Sequence, residues 1–116
     1  MTVRAIPIVR NVQLTNAAAV QFTAPNNSTT IIKRAVFTNT SAGARTITAH
    51  VVPSGGSVSN ATMLINGQAL AIPPGAGSSY VAPELAGVVL LPGDTLQCFA
   101  DVAANVTLSV NGIQQT

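Results

Sequence analysis

The sequence has 116 residues, of which 47% are hydrophobic and only 7% are charged. Ordinary soluble domains carry about 25% charged residues, and disordered chains combine low hydrophobicity with high net charge, so this composition predicts one folded domain and excludes the disordered class. A surface so short of charge is typical of an assembly subunit, because a free monomer normally relies on surface charge for solubility.

The charge balance also excludes several kinds of partner. Five basic and three acidic residues give a net charge of +2, and one tyrosine and three phenylalanines are the only aromatic residues. Nucleic-acid binding uses a clustered basic face and a stacking platform, and this sequence offers neither. We therefore predict no nucleic-acid partner. The sequence also has no apolar run that could span a membrane and no signal-peptide pattern, so we predict no membrane partner and synthesis in a cytoplasm.

The chain begins with a strand-like segment, residues 2–9, that contains Pro7. Proline removes a donor from the hydrogen-bond ladder, so this segment is either an edge strand or an extended arm. We therefore divide the sequence into an N-terminal arm or edge strand at 1–18 and a β-sandwich domain at 19–116.

Two pairs of strands with a turn between them stand out in the rest of the chain. Residues 30–38 and 46–52 are rich in β-branched side chains and flank a polar turn, and residues 95–100 and 106–110 flank a second turn. Each pair is interpreted as a β-hairpin.

The remaining strand candidates are short and separated by turn signals. They lie at residues 19–23, 63–65, 69–72, 78–82 and 87–91, with Asn66-Gly67 as the turn between the second and third of these. No segment has a helical apolar stripe of three turns. The sequence predicts an all-β fold, a single-domain antiparallel β-sandwich of jelly-roll or Ig-like type, with about 8–10 short strands.

Catalytic groups are scarce. Cys98 alternates with strand residues as a core thiol would, and His50 lies mid-strand, where a surface or interface role is the expectation. Asp94 follows Pro92-Gly93 and suits a turn that bonds its own backbone, while Glu84 and Asp101 lie in loops. We predict that the protein is not an enzyme, with no catalytic residues, no metal ligands and no cofactor.

Lys33-Arg34 is the one local feature that a buried strand does not explain. Adjacent strand residues point to opposite faces, so a strand covered on both faces could not hold this pair without burying a charge. The alternatives are a solvated surface base and an electrostatic contact with a negatively charged partner.

Several motifs resemble, in their order along residues 20–113, a class of small virion proteins of tailed bacteriophages. They are Phe22-Thr23-Ala24-Pro25, Thr29-Thr30-Ile31-Ile32-Lys33, Thr38-Asn39-Thr40-Ser41, Thr46-Ile47-Thr48, Val51-Val52-Pro53-Ser54-Gly55-Gly56, Leu90-Leu91-Pro92-Gly93-Asp94-Thr95-Leu96 and Val106-Thr107-Leu108-Ser109-Val110-Asn111-Gly112. The resemblance implies a compact β-sandwich that acts as a capsid decoration (cement) subunit or as a tail- or spike-associated module.

The resemblance sets the functional expectation. It implies a virion protein, made in the host cytoplasm, that stabilises the head by binding the major capsid protein or another virion component. The usual closed symmetry of oligomers makes a dimer or trimer the expected state. The alternative is a tail- or spike-associated binding module that recognises a glycan or another virion protein. The predicted interface residues are Arg4, Arg10, Lys33, Arg34 and Tyr80. Of these, Tyr80, with Glu84 nearby, is the glycan-binding candidate.

Overall fold

Nine β-strands and one 3-10 turn form the regular structure of residues 2–116, which this computed structural model describes; Met1, the first residue of the predicted arm, lies outside the described residues. The strands are β1 Val3–Gln13, β2 Ala19–Thr23, β3 Thr29–Asn39, β4 Arg45–Val52, β5 Met63–Leu70, β6 Ser79–Val81, β7 Val89–Leu90, β8 Thr95–Ala100 and β9 Val106–Gln115. The 3-10 turn is Asn60–Thr62. The predicted all-β sandwich is confirmed.

Two antiparallel sheets face each other across the core. The five-stranded sheet has the order β1-β9-β3-β6, with β7 also paired to β3, and the four-stranded sheet has the order β2-β8-β4-β5. The chain crosses from one sheet to the other after β1, β2, β3, β5, β7 and β8. This strand order is that of a jelly roll, which consists of two Greek keys. Of the two sandwich types that the sequence left open, the fold is therefore the jelly roll and not the Ig-like type.

Both predicted hairpins are wrong. β3 belongs to the five-stranded sheet and β4 to the four-stranded sheet, and β8 and β9 are divided in the same way. A turn signal shows that the chain reverses, but not whether the next strand pairs beside the first or crosses the core. In the connection between β3 and β4, the buried Asn39 side chain stabilises the crossing by donating to the carbonyl oxygens of Gly43 at 2.8 Å and Ala71 at 3.0 Å.

The predicted turn at Asn66-Gly67 is instead a bulge inside one strand, β5. Ile47 pairs with Gln68 and Ala49 pairs with Ile65, so Asn66 and Gly67 together face the single residue Thr48. Gly67 has φ +65°, and its N–H donates to the Thr48 hydroxyl at 3.2 Å. A bulge and a turn can both require a residue with positive φ, and glycine adopts positive φ easily in either. The Asn-Gly pair was therefore interpreted as a turn.

The core is formed by the inward side chains of both sheets. Its largest members include Phe37 and Leu108 from the five-stranded sheet and Ile47 and Leu96 from the four-stranded sheet, all with no exposed surface. Cys98 lies among them, as predicted, and burial raises the pKa of its thiol to about 12. A thiol held neutral in this way is a packing group.

Candidate interaction surface

All five predicted interface residues lie on strands of the five-stranded sheet. Arg4 and Arg10 are on β1, Lys33 and Arg34 on β3, and Tyr80 on β6. That sheet has one face on the core and an outer face turned away from it. The positions of the five residues relative to those two faces decide which of them can act together.

A β-bulge in β3 brings Lys33 and Arg34 to the same face. Ile32 pairs with Gly112 and Arg34 with Asn111, so Lys33 is the extra residue opposite β9. Both bases are exposed, and the buried positions of β3 change from even-numbered before the bulge to odd-numbered after it. The bulge therefore resolves the conflict in the sequence, because two consecutive side chains point outward without a buried charge.

β1, which pairs with the other side of β9, also has a bulge, but this bulge turns two consecutive side chains towards the core. Pro7 pairs with Asn111 and Val9 with Val110, so Ile8 is the extra residue, and both Ile8 and Val9 are buried. A second irregularity follows at once. Val12 pairs with Leu108, which leaves Arg10 and Asn11 opposite Ser109, and Asn11 has φ +50°.

The exposed Arg10 therefore lies on the same face as Lys33 and Arg34. Val9 points into the core and Arg10 is the next residue, beside the outward position of Ser109. Asn111 lies between the bases, paired with Pro7 on one side and Arg34 on the other. The outer face thus holds a basic cluster formed by Arg10, Lys33 and Arg34.

No residue within 2–116 forms an ion pair or hydrogen bond with a side chain of this basic cluster. The strands of the five-stranded sheet contain no Asp or Glu. The basic cluster is therefore a patch of positive charge that no acidic side chain on the strands of this sheet neutralises.

An apolar row crosses the sheet next to the basic cluster. Ala5 of β1 pairs with Ile113 of β9, Ile113 with Ile31 of β3, and Ile31 with Val89 of β7. Directly paired residues project to the same face, so these four side chains form one continuous line across four strands. Val89 is 48% exposed. Sequence reasoning missed this row, since the alignment depends on strand pairings distant in the chain.

The other two predicted interface residues do not join the basic cluster. Arg4 pairs with Gln114, which is on the core-facing side at the end of the sheet, and its guanidinium donates to Gln114 Oε1 at 3.0 Å. Tyr80 pairs with the fully buried Phe37, so its ring packs against the core.

The Tyr80 hydroxyl donates a 2.6 Å hydrogen bond to Glu84 Oε1. This bond holds the phenol proton, and with partial burial and the nearby negative charge it raises the pKa of Tyr80 to about 12.

We expect Tyr80 to ionise about two pH units above a free tyrosine in the folded protein. The sequence has one tyrosine and no tryptophan, so absorbance at 295 nm follows this group alone. Because the pKa is raised from 10.0 to about 12 on folding, the bond stabilises the fold fully below pH 10 and ceases to do so as the pH rises through 12.

Glu84→Gln removes the negative charge and should move the midpoint of the Tyr80 titration back towards 10. The urea-unfolded wild type serves as the reference. A wild-type midpoint equal to that of the unfolded chain would contradict the Tyr80–Glu84 bond.

Among residues 2–116, the remaining ionisable side chains make structural contacts. His50 is buried, contrary to the surface or interface role expected of it, and its Nδ1 lies 2.9 Å from the Thr62 hydroxyl. That hydroxyl donates to the Ser59 carbonyl at 3.0 Å, so the His50 Nδ1–H is the donor to it. The role of His50 is to anchor the loop that contains the 3-10 turn.

Two carboxylates support turns. Asp94 accepts from the Leu91 N–H at 3.0 Å and from the Ser54 N–H at 3.1 Å, so it stabilises its turn through Leu91, three residues earlier, and not through an Asx bond as predicted, and it also holds a second loop. Asp101 accepts from the Thr46 N–H at 3.1 Å. Within residues 2–116 no three His, Cys, Asp or Glu side chains are grouped as metal ligands would be. The same residues include no helix of the length and hydrophobicity that crossing a membrane requires.

Comparison with known proteins identifies a shared architecture. No family model and no curated protein matches the chain. A chain in the structure of infectious bursal disease virus Gx strain is 14% identical, with 97% of this chain and 31% of that chain covered and a TM-score of 0.50. A chain of the infectious bursal disease virus VP2 subviral particle is also 14% identical, with coverage of 97% and 32% and a TM-score of 0.46. At this identity the first likeness shows the fold, and this chain spans about a third of the length of those chains.

Proposed function

We propose that the protein is a non-enzymatic structural subunit of a virus particle, a capsid decoration or cement protein of a tailed bacteriophage. Its jelly-roll sandwich is an architecture common in viral capsids, and its fold is shared with a chain of a virus structure. The observation that carries the proposal is the outer face of the five-stranded sheet, where bases without an ion-pair or hydrogen-bond partner among residues 2–116 lie beside an apolar row.

The low charge of the chain supports an assembled state. Only 7% of the residues are charged, and exposed apolar side chains such as Val81 and Val89 lie on the five-stranded sheet. A subunit repeated on a particle gains avidity from many modest contacts, so it needs broad flat faces more than a deep pocket. In this proposal the protein is made in the host cytoplasm and joins the virion as a dimer or trimer bound to the major capsid protein or another virion component.

The alternative is a tail- or spike-associated module that recognises a glycan or another virion protein. A glycan site would use the exposed face of an aromatic ring. The ring of Tyr80 packs against the core and its hydroxyl is bonded to Glu84, so this alternative has less support.

The test is the composition and stability of purified particles from the phage that encodes the chain. We expect the protein in particles at a fixed, high copy number, with density on the head, and particles without it to lose their genome at a lower temperature. Absence of the protein from particles would refute a virion role, and density confined to the tail tip together with glycan-array binding would favour the alternative.

A further inference from the structure

We propose that the outer face of the five-stranded sheet binds an acidic, partly apolar surface on a different protein, and not a second copy of this chain. The proposal rests on the proposed function and adds the chemistry of the partner. The docking surface is formed by the basic cluster, Arg10, Lys33 and Arg34, the central Asn111 and the apolar row, Ala5, Ile113, Ile31 and Val89.

The first step is the orientation of the charges. The bulge at Lys33 interrupts the ladder with β9, and its effect is to place two consecutive bases on one face. Bulges locally disrupt pairing and are used to re-aim side chains. Since neither base has a partner within residues 2–116, the arrangement leaves two cations available to an external anion.

The second step argues against a symmetric contact between two copies of this chain. Its three acidic residues, Glu84, Asp94 and Asp101, lie in loops, and none of them is on a strand of the five-stranded sheet. A symmetric contact through the outer face would bring two basic clusters together without a carboxylate between them. Like charges brought together in one interface repel each other, so a symmetric contact is unfavourable and the outer face fits a different protein that supplies carboxylates.

The third step separates a protein partner from a nucleic acid. The apolar row gains free energy only from apolar groups, which a phosphate backbone does not offer. The phenylalanine and tyrosine of the five-stranded sheet, Phe37 and Tyr80, point towards the core, so the outer face has no ring on which bases could stack.

The fourth step favours the face over the edge of the sheet. At one edge of the sheet, β1 is interrupted by Pro7 and by the bulges at Ile8 and at Arg10-Asn11. At the other edge, β6 and β7 are only three and two residues long. Such interruptions and such short strands prevent a regular ladder from growing. The partner therefore docks through side chains on the outer face.

The first experiment uses a defined probe and does not depend on the particle. A synthetic 12-residue peptide of alternating Glu and Val is titrated into the ¹⁵N-labelled protein, with a Gln-Val peptide of the same length for comparison. We expect amide shifts centred on Lys33, Arg34, Asn111 and Ile113 with the Glu peptide, weakening as salt is added. An absence of shifts on this face at millimolar peptide would overturn the proposal.

The second experiment measures binding to particles that lack the protein. Lys33→Gln/Arg34→Gln lowers the net charge from +2 to zero, and Asn60→Asp/Asn66→Asp does the same at two exposed positions, one in the 3-10 turn and one on β5 of the four-stranded sheet. We expect the first variant to bind at least about tenfold more weakly and the second to bind like the wild type. Equal binding by both variants would overturn the proposal.

Two further outcomes would also overturn it. One is a lower oligomeric state of Lys33→Gln/Arg34→Gln in light scattering, which would make the outer face a contact between copies. The other is binding of a 20-nucleotide single-stranded DNA through the same residues at physiological salt. If the wild type binds no particle but the Glu peptide shifts the outer face, the proposed function fails and the partner chemistry stands.

Discussion

Deletion of Val36 is expected to unfold the protein, whereas deletion of Lys33, three positions earlier in the same strand, is expected to leave it folded. After the bulge, Ala35 and Phe37 point into the core and Val36 points outward. Without Val36 the strand has two choices, since side chains alternate between faces. It can keep the bulge and turn Phe37 to solvent, or lose the bulge and place Arg34 in the core.

Either choice is costly. Removing a buried Phe side chain from a core costs about 3–5 kcal/mol, and an unpaired buried charge is also strongly destabilising. A domain of this size has roughly 5–15 kcal/mol of stability in total. Deletion of Lys33 only makes the pairing with β9 regular, because Ile32 still faces Gly112 and Arg34 still faces Asn111.

Urea unfolding followed by far-UV circular dichroism measures the difference. We expect a cooperative transition for the Lys33 deletion and a strongly weakened or absent one for the Val36 deletion. Similar midpoints for the two deletions would show that the bulge does not set the inward and outward positions of β3.

Gly112→Ala is expected to destabilise the fold by about 3 kcal/mol or more, the upper range for overpacking a core. Gly112 is buried on β9 between β1 and β3, opposite Ile32. A Cβ at this position would collide with the carbonyl oxygen of Ile31 and lie 2.5 Å from Ile8 Cδ1. The carbonyl belongs to the central β3 backbone, so relief would require two strands to separate just beside the bulge.

Gly43→Ala is the matched control. Its Cβ would approach only the Arg45 guanidinium, at 3.3 Å, and that side chain can move aside. We expect its unfolding midpoint in urea to remain close to that of the wild type, with the Gly112→Ala midpoint far lower. If both variants were equally stable, the close packing of β1, β9 and β3 at Gly112 would be wrong.

The sequence predicted most strands because their signal is local. β-branched residues alternating with polar ones located β2, β3, β4 and β8 to within one residue at each end, and the first half of β9. The errors concern partners. The segments 30–38 and 46–52 were interpreted as paired, but strands that each bury one face have the same pattern whether they lie side by side or face each other across a core.

The candidate surface was predicted only in part. Lys33-Arg34 stood out because two adjacent charges cannot both avoid the core in a regular strand. The bulge that resolves this conflict leaves no clear mark in the sequence, since it arises from the register between β3 and β9. Arg4 and Tyr80 were grouped with these bases on residue type, and the pairing of each with an inward-facing neighbour separates them.

By itself the sequence determined an all-β sandwich with few charges and a shortage of catalytic groups, because composition and period-two alternation are properties of neighbouring residues. Only the tertiary structure decided the jelly-roll order, the bulges, and the union of Arg10, Lys33 and Arg34 on one face beside the row from Ala5 to Val89. The reason is physical: residues far apart in the chain become neighbours through strand register, and a shift of one residue moves every following side chain to the opposite face.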